Sequence, residues 1–551
     1  MPEIKLPLEK FYEWEKSIPH QTFLRQPLNG KWREYTFQQA GNEIRRMASA
    51  INALNLPPKS KIALLSKNCA HWIMADIAIW MSGHVAVPLY PTIISHTIKQ
   101  IMEHSESTVI FVGKLDNYAE QKDGIPNRVQ KISFPFYGIN EGLLRDDLLK
   151  KNEPVKENIT RAADDLMTIA YTSGTTGKMK GAMITFISFA SAIHYALTDL
   201  EKFVCSLNHP RLFSFLPLSH VAERMVVELL SIYRGGIVSF AESLDTFGKN
   251  LAEVKPELFF GVPRIWARFQ EKVLEKMPQK KLDRLLKIPI LNSIVKKKIQ
   301  KALGMSEAKI CLSAAAPIPV DLIKWFASLG IIIREVYGMT ENCAISHANL
   351  KNIKVGTVGH PYSSIETRIS DEGEIQTRHA ATMVGYYKEP GLTAEMFTTD
   401  GFLKTGDQGS SDSDGYVTIT GRIKDLFKTD KGKYVAPSPI EMKLMTNPDI
   451  EQVCVVGMGI PQPIALTVLS ETGKQKSKEN IIQSLSQSLN EINPQIEHHE
   501  RLMKAVIMKE NWTIENGLMT PTLKVKRNEV EKIHLPKYPM WYQKDGEVVW
   551  E

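Results

Sequence analysis

Along the first half of the chain, apolar and polar positions follow two rhythms. Helical spacing runs through "FQQAGNEIRRMASAINAL" (37–54), while "KIALLS" (61–66), "VAVPLY" (85–90) and "TVIFVG" (108–113) are short apolar blocks bounded by turn residues. The blocks predict strands and the spaced segments predict crossover helices, the order expected of an α/β sheet. The rhythm continues through "LMTIAYTSG" (166–174), "RLFSFLPLS" (211–219), "GGIVSF" (235–240) and "PELFFGVP" (256–263), each an apolar block feeding a polar loop. In α/β sheets, loops at strand ends are where ligands sit.

From about residue 363 the period changes to two. "SIETRISDEGEIQTR" (364–378) and "GYVTITGR" (415–422) alternate apolar and polar residues around glycine turns, predicting a small antiparallel subdomain. A charged, glycine-bearing stretch, "RIKDLFKTDKGKYVAPSPIE", then leads into a last segment of ordinary domain size. The expected division is 1–421, a hinge at 422–425, and a smaller α+β domain over 426–551.

Length and composition agree with this division. At 551 residues, 43% hydrophobic and 23% charged, the chain is a globular protein of more than one domain. A net charge of +7 is mild for this size and does not imply nucleic acid as a partner. Five scattered cysteines with no C-x-x-C pair argue against a disulfide framework or a zinc site. No signal-like apolar region opens the chain, and the most apolar stretch, from Ile77, is interrupted by His84 and Pro88. A cytoplasmic, non-spanning protein is the expectation, with homodimer formation left open. Residues 280–304 stand apart: eight lysines and arginines against Asp283 alone, with apolar residues at helical spacing on either side of Pro289. Such a segment is a solvated helical hairpin or a peripheral contact with the inner face of a membrane.

The chemistry begins at "YTSGTTGKMKG" (171–181). Thr172, Ser173, Gly174, Thr175, Thr176 and Gly177 are small enough for backbone N–H groups to converge on an anion, and Lys180 adds a point charge. It is not a P-loop, because Met179 stands where that motif needs its second glycine and neither lysine precedes Ser or Thr. Farther on, "EVYGMTE" (335–341) ends in a Thr–Glu pair suited to Mg²⁺. "TGD" places Asp407 in a tight turn, and "GRIKD" places Arg422 at the end of a strand.

Taken in order, "TSGTTGKMKG", "LPLSHVAER", "SAAAP", "YGMTE", "TGD", "GRIKD" and "TPTLKVKR" resemble the adenylate-forming superfamily. That superfamily comprises acyl-CoA synthetases, peptide-synthetase adenylation domains and firefly luciferase. The resemblance implies that residues 172–177 and Lys180 hold the β- and γ-phosphates of ATP. It puts Ala315 and Ala316 beside the adenine and Tyr337 stacked on it, with Gly338 and Met339 among the residues that bind ATP or AMP. It assigns Thr340 to the α-phosphate, Glu341 to Mg²⁺, and Asp407 to the ribose hydroxyls with Arg422 beside it. Lys424 falls at the hinge position and Lys524 at the C-terminal catalytic lysine. "LPLSHVAERM", "GVPRIWARF" and "TPTLKVKR" resemble the long-chain fatty acyl-CoA synthetases in particular. This implies an acyl pocket near His220, Gly261 and Trp266, with Trp266 as a gate, and a coenzyme A region at Lys433 and Tyr434. The substrates so implied are a fatty acid, ATP and CoA.

Three departures stand out: Met179 replaces the usual proline, Phe186 the usual histidine, and "SAAAP" lacks the usual glycine. Two rival readings were weighed, a fatty acyl-AMP ligase serving a carrier protein and a lipid-surface binding protein with a decayed site. No added segment between 345 and 425 disfavours the first, and an intact set of Glu341, Asp407, Arg422 and Lys524 disfavours the second. "VVGMGIPQ" (455–462) has two glycines of a dinucleotide fingerprint, but Gln462 occupies the third position.

Overall fold

The computed structural model describes residues 4–173, 179–520 and 524–551. Gly174, Thr175, Thr176 and Gly177 of the phosphate loop therefore lie outside the described residues, and of Ser173 only the backbone is described.

Two large sheets carry the first 361 residues, with one contribution from Gly385–Tyr386. In one, strands Thr22–Leu28, Ile237–Phe240, Arg211–Ser214, Leu258–Gly261, Ile310–Ser313 and Ile333–Tyr337 run parallel. The other has Val85–Leu89 and Lys61–Leu65 at its parallel centre. Every apolar block singled out above forms a strand, because continuous Val/Ile/Leu/Phe runs suit strands covered on both faces.

The stretch around Ile77 is not a span but a core helix, Ala70–Met81, all twelve residues of which are buried. A helix apolar on every side belongs inside a protein of this size. No helix among the described residues is long and apolar enough to cross a membrane.

The period-two segments form a four-stranded antiparallel sheet of Glu366–Ile369, Glu374–Arg378, Leu403–Ser411 and Val417–Arg422. A short turn, Ile423–Asp425, follows it. Beyond that, a second four-stranded sheet has its own apolar clusters on its two faces. Its first strand, Ile450–Val456, turns straight into the antiparallel Ile464–Leu469, with no helix between. "VVGMGIPQ" is thus a hairpin turn, and the dinucleotide reading ends there. The C-terminal elements touch the rest through helix Pro437–Leu444, which lies on strand Val417–Arg422, and through an Arg264–Glu451 ion pair.

Candidate active site

The phosphate loop is the turn of a β-hairpin. Strand Leu166–Ser173 pairs antiparallel with Met179–Thr185, and Thr172 faces Lys180 across the register. A two-residue strand, Gly385–Tyr386, adds to the outer edge, with Tyr386 opposite Ala182. This brings the Tyr386 ring under Lys180, whose Nζ lies 5.5 Å from the ring centroid. Burial lowers the Lys180 ammonium pKa, Lys424 lowers it further, and Glu341 opposes both.

Strand Ile333–Tyr337 delivers the second group. After it the chain turns so sharply that a Cβ on Gly338 would sit 2.3 Å from the Ala344 carbonyl carbon, so only glycine fits. Met339 N–H donates to Asn342 Oδ1 at 2.8 Å, which fixes the turn Thr340–Asn342. Glu341 is buried, and its Oε1 accepts from the Tyr386 hydroxyl at 2.6 Å. Its backbone carbonyl accepts from Met383 N–H, tying the turn to the segment that carries Tyr386. Among the described residues no cluster of three or more His, Cys, Asp or Glu could hold a metal. One carboxylate beside a threonine fits a cation that arrives with phosphate ligands of its own.

Asp407 is the hub of the third group. Its backbone N–H donates to Thr405 Oγ1, and the Glu374 carboxylate accepts from Gly406 N–H at 2.9 Å. Asp407 Oδ2 accepts from the Tyr337 hydroxyl at 2.7 Å, and Oδ1 pairs with Arg422 Nε at 3.0 Å. Arg422 faces Asp407 directly across the strand register. Desolvation, then Asp407, pushes the Tyr337 phenol well up, so it stays a donor at neutral pH.

Lys524 closes the arrangement from the C-terminal side. It ends a small hairpin in which its N–H donates to Thr520 Oγ1 and its carbonyl accepts from Thr520 N–H. Desolvation, reinforced by Arg422 and opposed by Asp407, lowers its pKa to about 8. Burial, helped by Lys524, in turn drops His220 to about 4, leaving the imidazole neutral. His220 Nδ1 accepts from Ala222 N–H at 3.1 Å and so starts a helix.

Ala315 and Ala316 are exposed. Ala315 takes a left-handed φ of 70°, a conformation that favours glycine. Gly261 and Trp266 touch: the indole N–H donates to the Gly261 carbonyl at 3.1 Å, and a Cβ on Gly261 would lie 3.1 Å from that nitrogen. Trp266 is fully buried among Phe259, Phe269 and Phe326. Phe186 is buried against Trp80, with the Arg161 guanidinium 5.0 Å from its ring. Lys433 and Tyr434 are exposed on a two-stranded hairpin.

The arrangement joins two lysines, a carboxylate turn and an acid–arginine pair drawn from positions between Lys180 and Lys524. A profile described as "AMP-binding enzyme" matches residues 11–387, and another, "AMP-binding enzyme C-terminal domain", matches 424–537. The chain belongs to the AMP-binding enzyme family. This AMP-binding enzyme is 28% identical to Long-chain-fatty-acid–CoA ligase FadD15 of Mycobacterium bovis, over 94% of either chain. It is also 28% identical to Long-chain-fatty-acid–CoA ligase 5 of Rattus norvegicus, over 93% of this chain and 84% of that one. In fold it resembles the adenylation domain of a carboxylate reductase from Mycobacterium chelonae. There the TM-score is 0.82 at 20% identity, covering 99% of this chain and 92% of that one.

Tyr386, Glu374 and Thr405 hold this AMP-binding enzyme's site together, and motif reading passed over them. Their signal was weak. Tyr386 lies 45 residues beyond its partner Glu341, on a strand of two residues.

Proposed function

We propose that the chain is an ATP-dependent long-chain fatty acid–CoA ligase, forming acyl-AMP and pyrophosphate, then acyl-CoA and AMP. The observation that carries this reading is the convergence of Lys524 on the Tyr337–Asp407–Arg422 cluster, within electrostatic reach of His220. A fatty acid carboxylate oxygen attacks the α-phosphorus, the bond from that phosphorus to the bridging oxygen breaks, and pyrophosphate leaves. Two anions must approach, so fixed cations do most of the work. Lys524 serves the α-phosphate and the incoming carboxylate, while Lys180 serves the departing phosphates. Thr340 donates to the α-phosphate, and Asp407 accepts from the ribose hydroxyls with Arg422 holding its orientation. Glu341 holds the Mg²⁺ that accompanies ATP and screens its phosphate charge.

In the second step the CoA thiolate attacks the acyl carbon, the carbon–oxygen bond breaks, and AMP departs. The turn at 422–425, with Lys424, is the hinge that exchanges Lys524 for the exposed Lys433–Tyr434 hairpin between the two steps. Gly261, which ends strand Leu258–Gly261, and Trp266, in the first turn of helix Pro263–Lys276, border the proposed acyl tunnel with His220.

The test is pyrophosphate release measured from acetate to stearate, with and without CoA, for wild type and Lys524→Ala. Long-chain acids should be preferred, with CoA needed for turnover. Lys524→Ala should cost about 10³-fold in adenylation, about 4 kcal/mol, yet still make acyl-CoA from preformed acyl-AMP. Equal loss in both steps would refute that role. Full turnover with a carrier protein but none with CoA would move the reading to an acyl-AMP ligase.

A further inference from the structure

The basic segment forms two helices, Gln279–Leu286 and Pro289–Ala302, the second opened by its proline. The structure divides its apolar residues into two sets. Leu282, Val295 and Ile299 are buried, and Leu285 and Leu286 pack partly against the same core. Ile288, Ile290, Leu291 and Ile294 turn the other way, with 48, 76, 37 and 56% of their surface exposed. Four large aliphatic side chains within seven residues make one apolar tip, where soluble surfaces carry such residues singly.

Charge surrounds this tip. Ile290 and Ile294 lie one turn apart, and exposed Lys297, Lys298 and Lys301 continue along the same side of the helix. Lys281, Arg284 and Lys287 are exposed on the preceding helix. The only acid, Asp283, accepts from Gln279. Among the described residues, the flanking ion pairs in sequence are Arg264–Glu451 and Lys309–Glu257, and none forms between them.

We propose that this tip is a docking surface for an anionic phospholipid membrane, the four aliphatic side chains entering the headgroup boundary and the lysine collar neutralising phosphates. The charge pattern selects this occupant. Apolar insertion and electrostatic attraction are the two terms that hold a helix at a lipid interface, and both are here on one face. A second copy of the chain meeting this face across a two-fold axis would set the lysine collar against itself. Along the chain the tip comes after helix Pro263–Lys276, which carries Trp266 of the proposed acyl site, and after helix Gln279–Leu286. In that respect the inference rests on the fatty-acid reading, although vesicle binding is measured without catalysis.

The full chain is sedimented with phosphatidylglycerol–phosphatidylcholine vesicles and with pure phosphatidylcholine vesicles, beside Lys297→Glu/Lys298→Glu and Ile290→Ser/Ile294→Ser. The wild type should favour the anionic vesicles, and each double substitution should weaken that partition by about tenfold or more. Adenylation of dissolved octanoate should stay at the wild-type rate in both variants, which certifies the fold. Equal binding to both vesicle types, or undiminished binding by the variants, overturns the proposal. So does a dimer that the variants convert to monomer while vesicle binding persists, since the tip would then belong to a second copy. Absence of adenylation in the wild type with every acid from octanoate to stearate would strike the ligase reading and leave the lipid surface standing.

Discussion

Two arginines in this protein each hold carboxylates, and they do opposite things. Arg224 pairs with Asp76 and, at 2.9 Å, with Glu228, and the three side chains are 1%, 1% and 0% exposed. Trp72, Trp80 and Phe189 lie 5.4–5.8 Å from its guanidinium carbon. Arg422 pairs with Asp407 at 3.0 Å, but its side chain is 49% exposed. Burial raises both carboxyl pKa values in the sealed cluster, and Asp76 and Glu228 lie within hydrogen-bonding reach of each other. The sealed cluster thus has no way to meet a ligand. The open one keeps its polar atoms where a sugar can reach them. The same residue types are structural or chemical according to access.

The comparison breaks first on stability. Arg224→Met strands two buried carboxyls and should lower the unfolding free energy by about 3–5 kcal/mol, read as a shift in urea midpoint. Arg422→Met should cost no more than about 1 kcal/mol while adenylation falls. Similar stability losses in the two variants would erase the distinction.

Next comes Asp407→Asn. It keeps the shape but gives Arg422 no charge to hold, and kcat/KM for ATP should fall about 10²-fold, near 2.7 kcal/mol, at an unchanged melting temperature. A smaller effect belongs to proton occupancy. In the proposed adenylation Lys524 acts as an ammonium, and its pKa is lowered to about 8. As pH rises through that value the charged fraction falls, so kcat/KM should drop about tenfold per unit on the alkaline side. ATP phosphates favour the ammonium, so the limb in kcat should lie at higher pH, and Lys524→Arg should remove both limbs. The smallest effect is Ala315→Gly. Relieving a left-handed alanine at φ 70° should raise stability by about 1 kcal/mol, measured by thermal melting, with no counterpart at the sealed cluster.

Much of the fold was legible because strand blocks such as "KIALLS" and "PELFFGVP" are apolar throughout, and the period-two stretches differ from them. The helix Ala70–Met81 was not, since a segment buried on every side carries no periodicity to read. In the site, the charged members announced themselves by their short motifs. Tyr386, Glu374 and the Asp76–Arg224–Glu228 cluster did not, because each acts through a contact across a sheet or between helices. Residues 280–304 read as one amphipathic pattern, and only burial separated the apolar residues that serve the core from those that face outward.

The depressed lysine has a thermodynamic corollary. Lys524 owes its low proton affinity in part to Arg422, on the other side of the proposed hinge. A rotation that carried Lys524 away would return it to the ordinary lysine range, near about 10.4. The apposed arrangement therefore binds fewer protons than the separated one. By linkage, alkaline solution would favour apposition and acid would favour separation, and between pH about 8 and about 10 each such closure would release a proton into the buffer. Domain position and proton count are one variable in that range, so a buffer-dependent heat would follow the rotation without any label on the protein.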